Sequence, residues 1–228
     1  GSDNVAVGKA ALKLSTTASH NTAVGNAALA ANTTGTQNVA VGGFALQQNT
    51  TANFNNAFGY SALKLNTTGQ QNNAFGNAVL DANTTGSYNI GMGQAALGSN
   101  TEGDNNVAIG YSALFSATTA DNNTAVGHNA LAANTSGNKN VAIGRLAADT
   151  NTTGSNLVAV GSNALTANTT GSSNVALGSD ALKANTTANN NTAIGYAAMQ
   201  SNTTGASNVA VGNIALDAIT TGSNNVAV

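Results

Sequence analysis

The stretch Asn208-Val-Ala-Val-Gly-Asn-Ile-Ala-Leu216, with its sequel Thr220-Thr-Gly-Ser223, decides how this chain is built. Nearly the same string starts at Asn4, Asn21, Asn38 and Asn55 and keeps returning to the end. The period is 17 residues: 13 full copies run from Asp3 to Ser223 without insertion or deletion, and a fourteenth stops at Val228. Let position one be the residue before the first Asn, so that Asp3 holds it. Position two is then Asn except at Leu157, position four Ala except at Gly91, and position six Gly in every full copy. Position five is always apolar, position nine is Ala except at Val79, and position ten is Leu except at Ala148 and Met199. Positions thirteen to sixteen read Asn-Thr-Thr-Gly or a close relative.

One unit of this size cannot bury its own apolar face, whereas stacked units can. Helix-turn-helix repeats need more than about 30 residues, so the unit suits one coil of a β-solenoid. Val5-Ala6-Val7 and its equivalents alternate as a strand does. The Gly closes that strand where a bend or a positive φ costs least. Ala-Leu follows as a short extended or turn-like segment, with a helical turn over positions eight to twelve as the alternative. Asn-Thr-Thr-Gly makes the return corner from residues that tolerate αL or bond their own backbone. The expected architecture is all-β: a parallel β-solenoid of about 13 coils. With identical positions about 4.8 Å apart, such a stack would be a rod of roughly 60 Å. Residues 3–228 form its single repeat domain, and Gly1-Ser2 reads as a cloning remnant.

The composition agrees with order rather than disorder. Only 6% of residues are charged and 4% aromatic, yet apolar residues recur at fixed positions. Columns of like charge would repel one another at coil spacing, while Asn and Thr columns can form hydrogen-bonded ladders. A net charge of −2 gives no electrostatic case for nucleic acid or an anionic membrane. No run approaches the roughly 18 apolar residues that span a bilayer. The absence of Cys removes disulfide and thiol chemistry and leaves the redox compartment open.

Position five is the expected core column: Val7, Val24, Val41, Phe58, Phe75, Ile109, Val126, Ile143, Val160, Ile194 and Val211. Position ten supplies the second, with Leu29, Leu46, Leu63, Leu97, Leu131, Leu165 and Leu216. Position three is mixed and is expected to be partly buried. Phe58 and Phe75 are expected to stack, with Asn56 and Asn73 bonding each other beside them. The Ala column at position four, flanked by Gly, reads as a smooth stripe for side-by-side oligomerisation, most simply as a trimer.

Asn-Val-Ala-Val-Gly, as at Asn38 to Gly42 and Asn208 to Gly212, resembles the head repeat of YadA-like trimeric autotransporter adhesins. The resemblance covers positions two to six of every copy. It implies a left-handed parallel β-roll, three chains packed side by side, and a bacterial surface role in attachment. The rest of the unit departs from that pattern. The longer string from Asn191 to Gly205 is similar to repeats of phage-tail-fibre-like proteins.

Catalytic groups are sparse. His20 and His128 hold different positions six coils apart, and Asp81, Asp149 and Asp217 are each separated by four coils, so no carboxylate pair is in reach. Glu102 and Asp104 read as a solvated corner. The Asn-Thr-Thr corners match the N-glycosylation pattern, but turn chemistry explains them without modification. Adjacent Thr residues point to opposite faces, so no flat two-column Thr array for ice binding is evident. Surface recognition, if any, falls to the variable positions, above all Tyr60, Tyr111, Tyr196 and Arg145 at position seven. The expectation is a non-enzymatic extracellular rod without cofactor or metal, in a surface adhesin whose partners are its own copies and a host glycan or matrix protein. A phage-type fibre shaft or self-stacking filament is the alternative, and an ice-binding solenoid a more distant one.

Overall fold

The computed structural model describes residues 1–228. It contains fourteen strands and no helix: β1 (Val5–Val7), β2 (Thr22–Val24), β3 (Val39–Val41), β4 (Asn56–Phe58), β5 (Asn73–Phe75), β6 (Ile90–Met92), β7 (Val107–Ile109), β8 (Thr124–Val126), β9 (Val141–Ile143), β10 (Val158–Val160), β11 (Val175–Leu177), β12 (Thr192–Ile194), β13 (Val209–Val211) and β14 (Val226–Ala227). The chain is a parallel β-solenoid in which every full coil contributes one three-residue strand at positions three to five. It divides into two compact units, Gly1–Ser112 with Ser116–Thr119 and Ala113–Phe115 with Ala120–Val228. Within the first, β1 to β7 pair in parallel in chain order, each position opposite itself, as Val5 with Thr22 and Ala6 with Ala23. The second repeats the scheme from β8 to β14.

The coil turns at residues that no helix could accept. Gly25 holds φ +134°, and a Cβ there would stand 2.5 Å from the carbonyl oxygen of Gly42 one coil on. Both the dihedral and the close approach therefore demand Gly at position six. Positions eight and ten are left-handed as well, as at Ala27 (φ 54°) and Leu29 (φ 50°), and position one follows at Gln37 (φ 57°). This rules out the helical turn over positions eight to twelve, because alternating left-handed residues cannot continue an α-helix. Each such residue costs on the order of 1–2 kcal/mol. Stacking holds them there: Leu29 N donates to Ala45 O at 3.0 Å, and the Leu29 side chain is fully buried.

The interior is small and rich in amides. Position four Ala, position nine Ala and position ten Leu are buried, as in Ala40, Ala45 and Leu46. Beside them run two buried Asn ladders. At position two, Asn38 N donates to Asn21 Oδ1 at 2.9 Å, and Asn21 Nδ2 donates to Gly35 O at 2.9 Å. At position thirteen, Asn49 Nδ2 donates to Asn32 Oδ1 at 3.0 Å, and Asn32 Nδ2 also reaches Gly35 O. One corner carbonyl thus accepts two amides and ties the strand's start to the return turn. Gly1 and Ser2 take the geometry of positions sixteen and seventeen: Ser2 O accepts from His20 N as Ser19 O accepts from Gln37 N.

Two expectations are reversed here. Position five faces outward: Val7 is 57% exposed, Phe58 36%, Phe75 37%, Ile109 36%, Ile143 41% and Ile194 37%. Val24, Val41, Val126, Val160 and Val211 stand half-buried on the same side. The position-four Ala, expected as an external stripe, is inside. The alternation is real, but its phase is set by position two. The ladder needs that Asn inside, so in a strand of period two position four follows it in and positions three and five point out. The Leu column is buried at Leu29, Leu46, Leu63, Leu97, Leu131 and Leu165, with Leu216 half-buried in the last full coil.

Candidate functional site: the strand face

The outward side chains of positions three and five make two parallel columns on each unit. In the first unit position five runs Val7, Val24, Val41, Phe58, Phe75, Met92, Ile109. Position three runs Val5, Thr22, Val39, Asn56, Asn73, Ile90, Val107. Eleven of these fourteen residues are apolar and none is charged. The second unit repeats the design, with Thr124 and Thr192 as the polar members of position three. Contiguous apolar surface is, as a general rule, where soluble proteins meet their partners.

The face changes character once within the first unit. Phe58 and Phe75 lie parallel, ring centroids 4.9 Å apart and 5° between planes. Beside them Asn56 Nδ2 donates to Asn73 Oδ1 at 2.8 Å. The expected compensation between stacked rings and paired amides is present, on the outer face rather than in the core. Inside, a second exchange accompanies it. The one Gly at position four, Gly91, stands where a Cβ would overlap Val79 Cγ1, and Val79 is the one large residue at position nine.

Beyond the face, the chemistry is dispersed. There is no pocket, and no cluster of three or more His, Asp or Glu side chains suited to a metal. His20 Nε2 lies 3.6 Å from Asp3 Oδ2, both exposed, while His128 belongs to the other unit. Burial pushes the carboxyls of Asp81 and Asp149 above the usual range, against a weaker opposing pull from hydrogen bonds to their own and following backbone groups. The Asp180 carboxyl is lowered, chiefly by its hydrogen bond from Lys183 at 3.0 Å. None of these groups shares a cavity with a nucleophile or a second acid.

Tyr60, Tyr111 and Tyr196 are half exposed, and Arg145 is exposed. They do not form one cluster: Tyr60 and Tyr111 are three coils apart in the first unit, and Tyr196 and Arg145 likewise in the second. Tyr60 meets Phe44 edge-on at 5.5 Å, and Lys64 Nζ stands 5.9 Å over the Phe44 ring. The corner Asn of the glycosylation pattern (Asn32, Asn49, Asn66, Asn83) are fully buried, with Nδ2 donating along the ladder or, at Asn32, to Gly35 O. They offer no acceptor nitrogen in the folded chain. Of the two adjacent Thr columns, position fourteen is tied down, with Thr33 Oγ1 donating to Thr50 O at 3.1 Å. Position fifteen stands exposed alone.

No protein-family model, curated protein or solved structure matches this chain. Sequence reasoning missed the strand face, although the signal was present. Positions two and four scarcely vary because interior volume is fixed. Positions three and five run from Asn and Val to Phe because solvent tolerates any size.

Proposed function

We propose that the chain is a non-enzymatic, extracellular building segment of a homo-oligomeric surface assembly, the head or shaft of an adhesin. Its strand faces pack against other copies, and its variable loop positions meet a host glycan or matrix protein. The observation that carries this reading is the uncharged, largely apolar strand face, which is far too extensive to remain solvated on an isolated chain. It replaces the Ala stripe, which is buried and cannot make the contact. Three chains is the stoichiometry that the resemblance to trimeric adhesin heads supports. Fold alone does not assign function, so the reading rests on this surface.

Sedimentation equilibrium tests it directly. The expected mass is three times that of the 22.2 kDa chain, and a stable folded monomer would refute the assembly. Binding to immobilised glycans and matrix proteins, weakened by Tyr60→Ala or Tyr196→Ala, tests the adhesive part.

A further inference from the structure

The turn that follows the Gly corner carries its own departure from the repeat in the first unit. Gly43 is the one glycine at position seven. The next coil has Tyr60 there, and its ring takes the space that a side chain at Gly43 would fill. A Cβ on Gly43 would stand 3.3 Å from Tyr60 Cδ2 and 3.6 Å from Cε2. Phe44, the one aromatic residue at position eight, meets the Tyr60 ring edge-on with centroids 5.5 Å apart. The ring is propped on two sides, yet Tyr60 remains 56% exposed. Lys64 Nζ stands 5.9 Å from the centroid of the same Phe44 ring. No carboxylate lies within 4.0 Å of that ammonium. Asp81, one coil on in the same column, feels its charge without pairing with it.

We propose that this surface binds an acidic polysaccharide: a pyranose ring stacks on Tyr60, and an anionic group of the sugar chain pairs with Lys64. The inference rests on the adhesive reading above and names its ligand class and site. One face of a pyranose presents C–H groups, whose slight positive charge suits the negative face of an aromatic ring. A ring already held in place loses little freedom when the sugar arrives. Here Gly43 and Phe44 do the holding, and both are exceptions in their columns.

Charge and shape select the ligand. The three lysines of this unit, Lys9, Lys13 and Lys64, all occupy positions seven and eleven, against the single acid Asp81 at those positions. Lys13 and Lys64 share one column three coils apart, about 14 Å along the stack. An anionic chain laid along the coils can therefore meet both. Gln47, one coil before Lys64 in that column, adds an amide that can bond sugar hydroxyls. A small ligand is held in a cavity, and this chain has none. A polysaccharide needs no cavity, because successive sugars each add a weak contact on an open surface. Protein anchors favour closed, dry pockets, whereas Tyr60 stands in water beside a cation.

Calorimetry on the full chain tests the site with hyaluronan and alginate, which carry carboxylates, and with dextran sulfate, which carries sulfates. Carboxyl-reduced hyaluronan and alginate are the neutral controls. At least one acidic polysaccharide should bind, and the one preferred identifies the anionic group. Tyr60→Ala should weaken that binding about 10-fold. Lys64→Gln should weaken it about 3-fold and leave any residual binding of the neutral controls unchanged. Gly43→Leu keeps both rings and the ammonium but displaces Tyr60, and should lose as much as Tyr60→Ala. Tyr88→Ala removes a tyrosine that is 55% exposed at position one and should change nothing. Binding that survives Tyr60→Ala or Gly43→Leu, or that falls equally in Tyr88→Ala, would overturn the stacking site. Binding indifferent to Lys64→Gln would overturn the ion pair. If neutral glycans or matrix proteins bind and none of the three acidic polysaccharides does, the ligand class falls and the adhesive reading stands. If nothing binds, the adhesive reading falls with it.

Discussion

Positions five and ten are both apolar in every coil, yet they finish on opposite sides of the chain. The Leu column at ten is sealed in, and the Val, Ile and Phe column at five is turned to the outside. Hydropathy does not separate the two. What separates them is how much each position is allowed to vary, and which neighbour sets the phase of the strand. The inside of a typical coil holds one Leu, three small residues at positions four, nine and sixteen, and two amides, with only isolated exceptions in volume or hydrogen bonding. The outside accepts Val, Ile, Met, Leu or Phe without disturbing the backbone.

The sharpest way to break this comparison is to place the same charge on each side of one coil. Leu131→Asp buries a carboxylate with no partner and leaves a cavity, a loss of more than ~4 kcal/mol. Because each coil contacts only its neighbours, the damage should part the stack at that coil. Val126→Asp, five residues earlier on the half-buried strand face, should leave the stack folded and lower its melt only by the stabilisation that association gives, far less than Leu131→Asp does. It should instead abolish self-association. If the two variants melted alike, the inside-outside assignment would fall.

A second test changes volume alone. Gly91 and Val79 are the exceptions at positions four and nine, and the Val79 side chain fills the space where the Gly91 Cβ would sit. Gly91→Ala should therefore cost about 1–3 kcal/mol by overpacking. Val79→Ala should cost about as much through the cavity it leaves. The double variant restores the Ala–Ala pair that the other neighbouring full coils set between position nine of one and position four of the next, and should recover nearly all of both losses. Chemical denaturation of the four proteins gives the coupling directly. Additive losses would mean that the two exceptions are unrelated.

These cases mark what the sequence discloses. The period, the parallel stacking, the Gly corner and the inward Leu29 column follow from spacing and from the lone permissive residue at each turn. The phase of the strand did not, because Val5-Ala6-Val7 offers two large apolar residues around one small one, and burial was given to the larger. In a coil this narrow the opposite holds: position four packs directly against positions nine and ten, where only a small residue fits, and Val has to stand outside. The left-handed Leu29 and Ala27 were equally hidden, since nothing in those residue types favours positive φ. Stacking imposes it. The candidate surface was legible only as the set of positions that vary, and it was sought at Tyr60 and Tyr196 rather than in the apolar column beside them.

The interior hydrogen bonds offer the finest test, because the chain itself contains a broken ladder. At position thirteen the Asn column lapses at Ala117. The preceding member, Asn100, is left with a buried Oδ1 that has no partner, although its Nδ2 still donates to Asn83 at 2.7 Å and to Gly103 O at 3.1 Å. Such an orphan forfeits the return on its desolvation. Ala117→Asn supplies the missing amide in a column where Asn49, Asn66 and Asn83 already show that the side chain fits. The variant should be more stable by about 1 kcal/mol, the net worth of one buried hydrogen bond. It should also protect the Asn100 corner more strongly against amide hydrogen exchange than remote coils. The opposite outcome, a loss of stability, would mean that the interior at Ala117 has closed around the smaller residue. The ladder would then be dispensable to the coil, and the Leu column alone would define its inside.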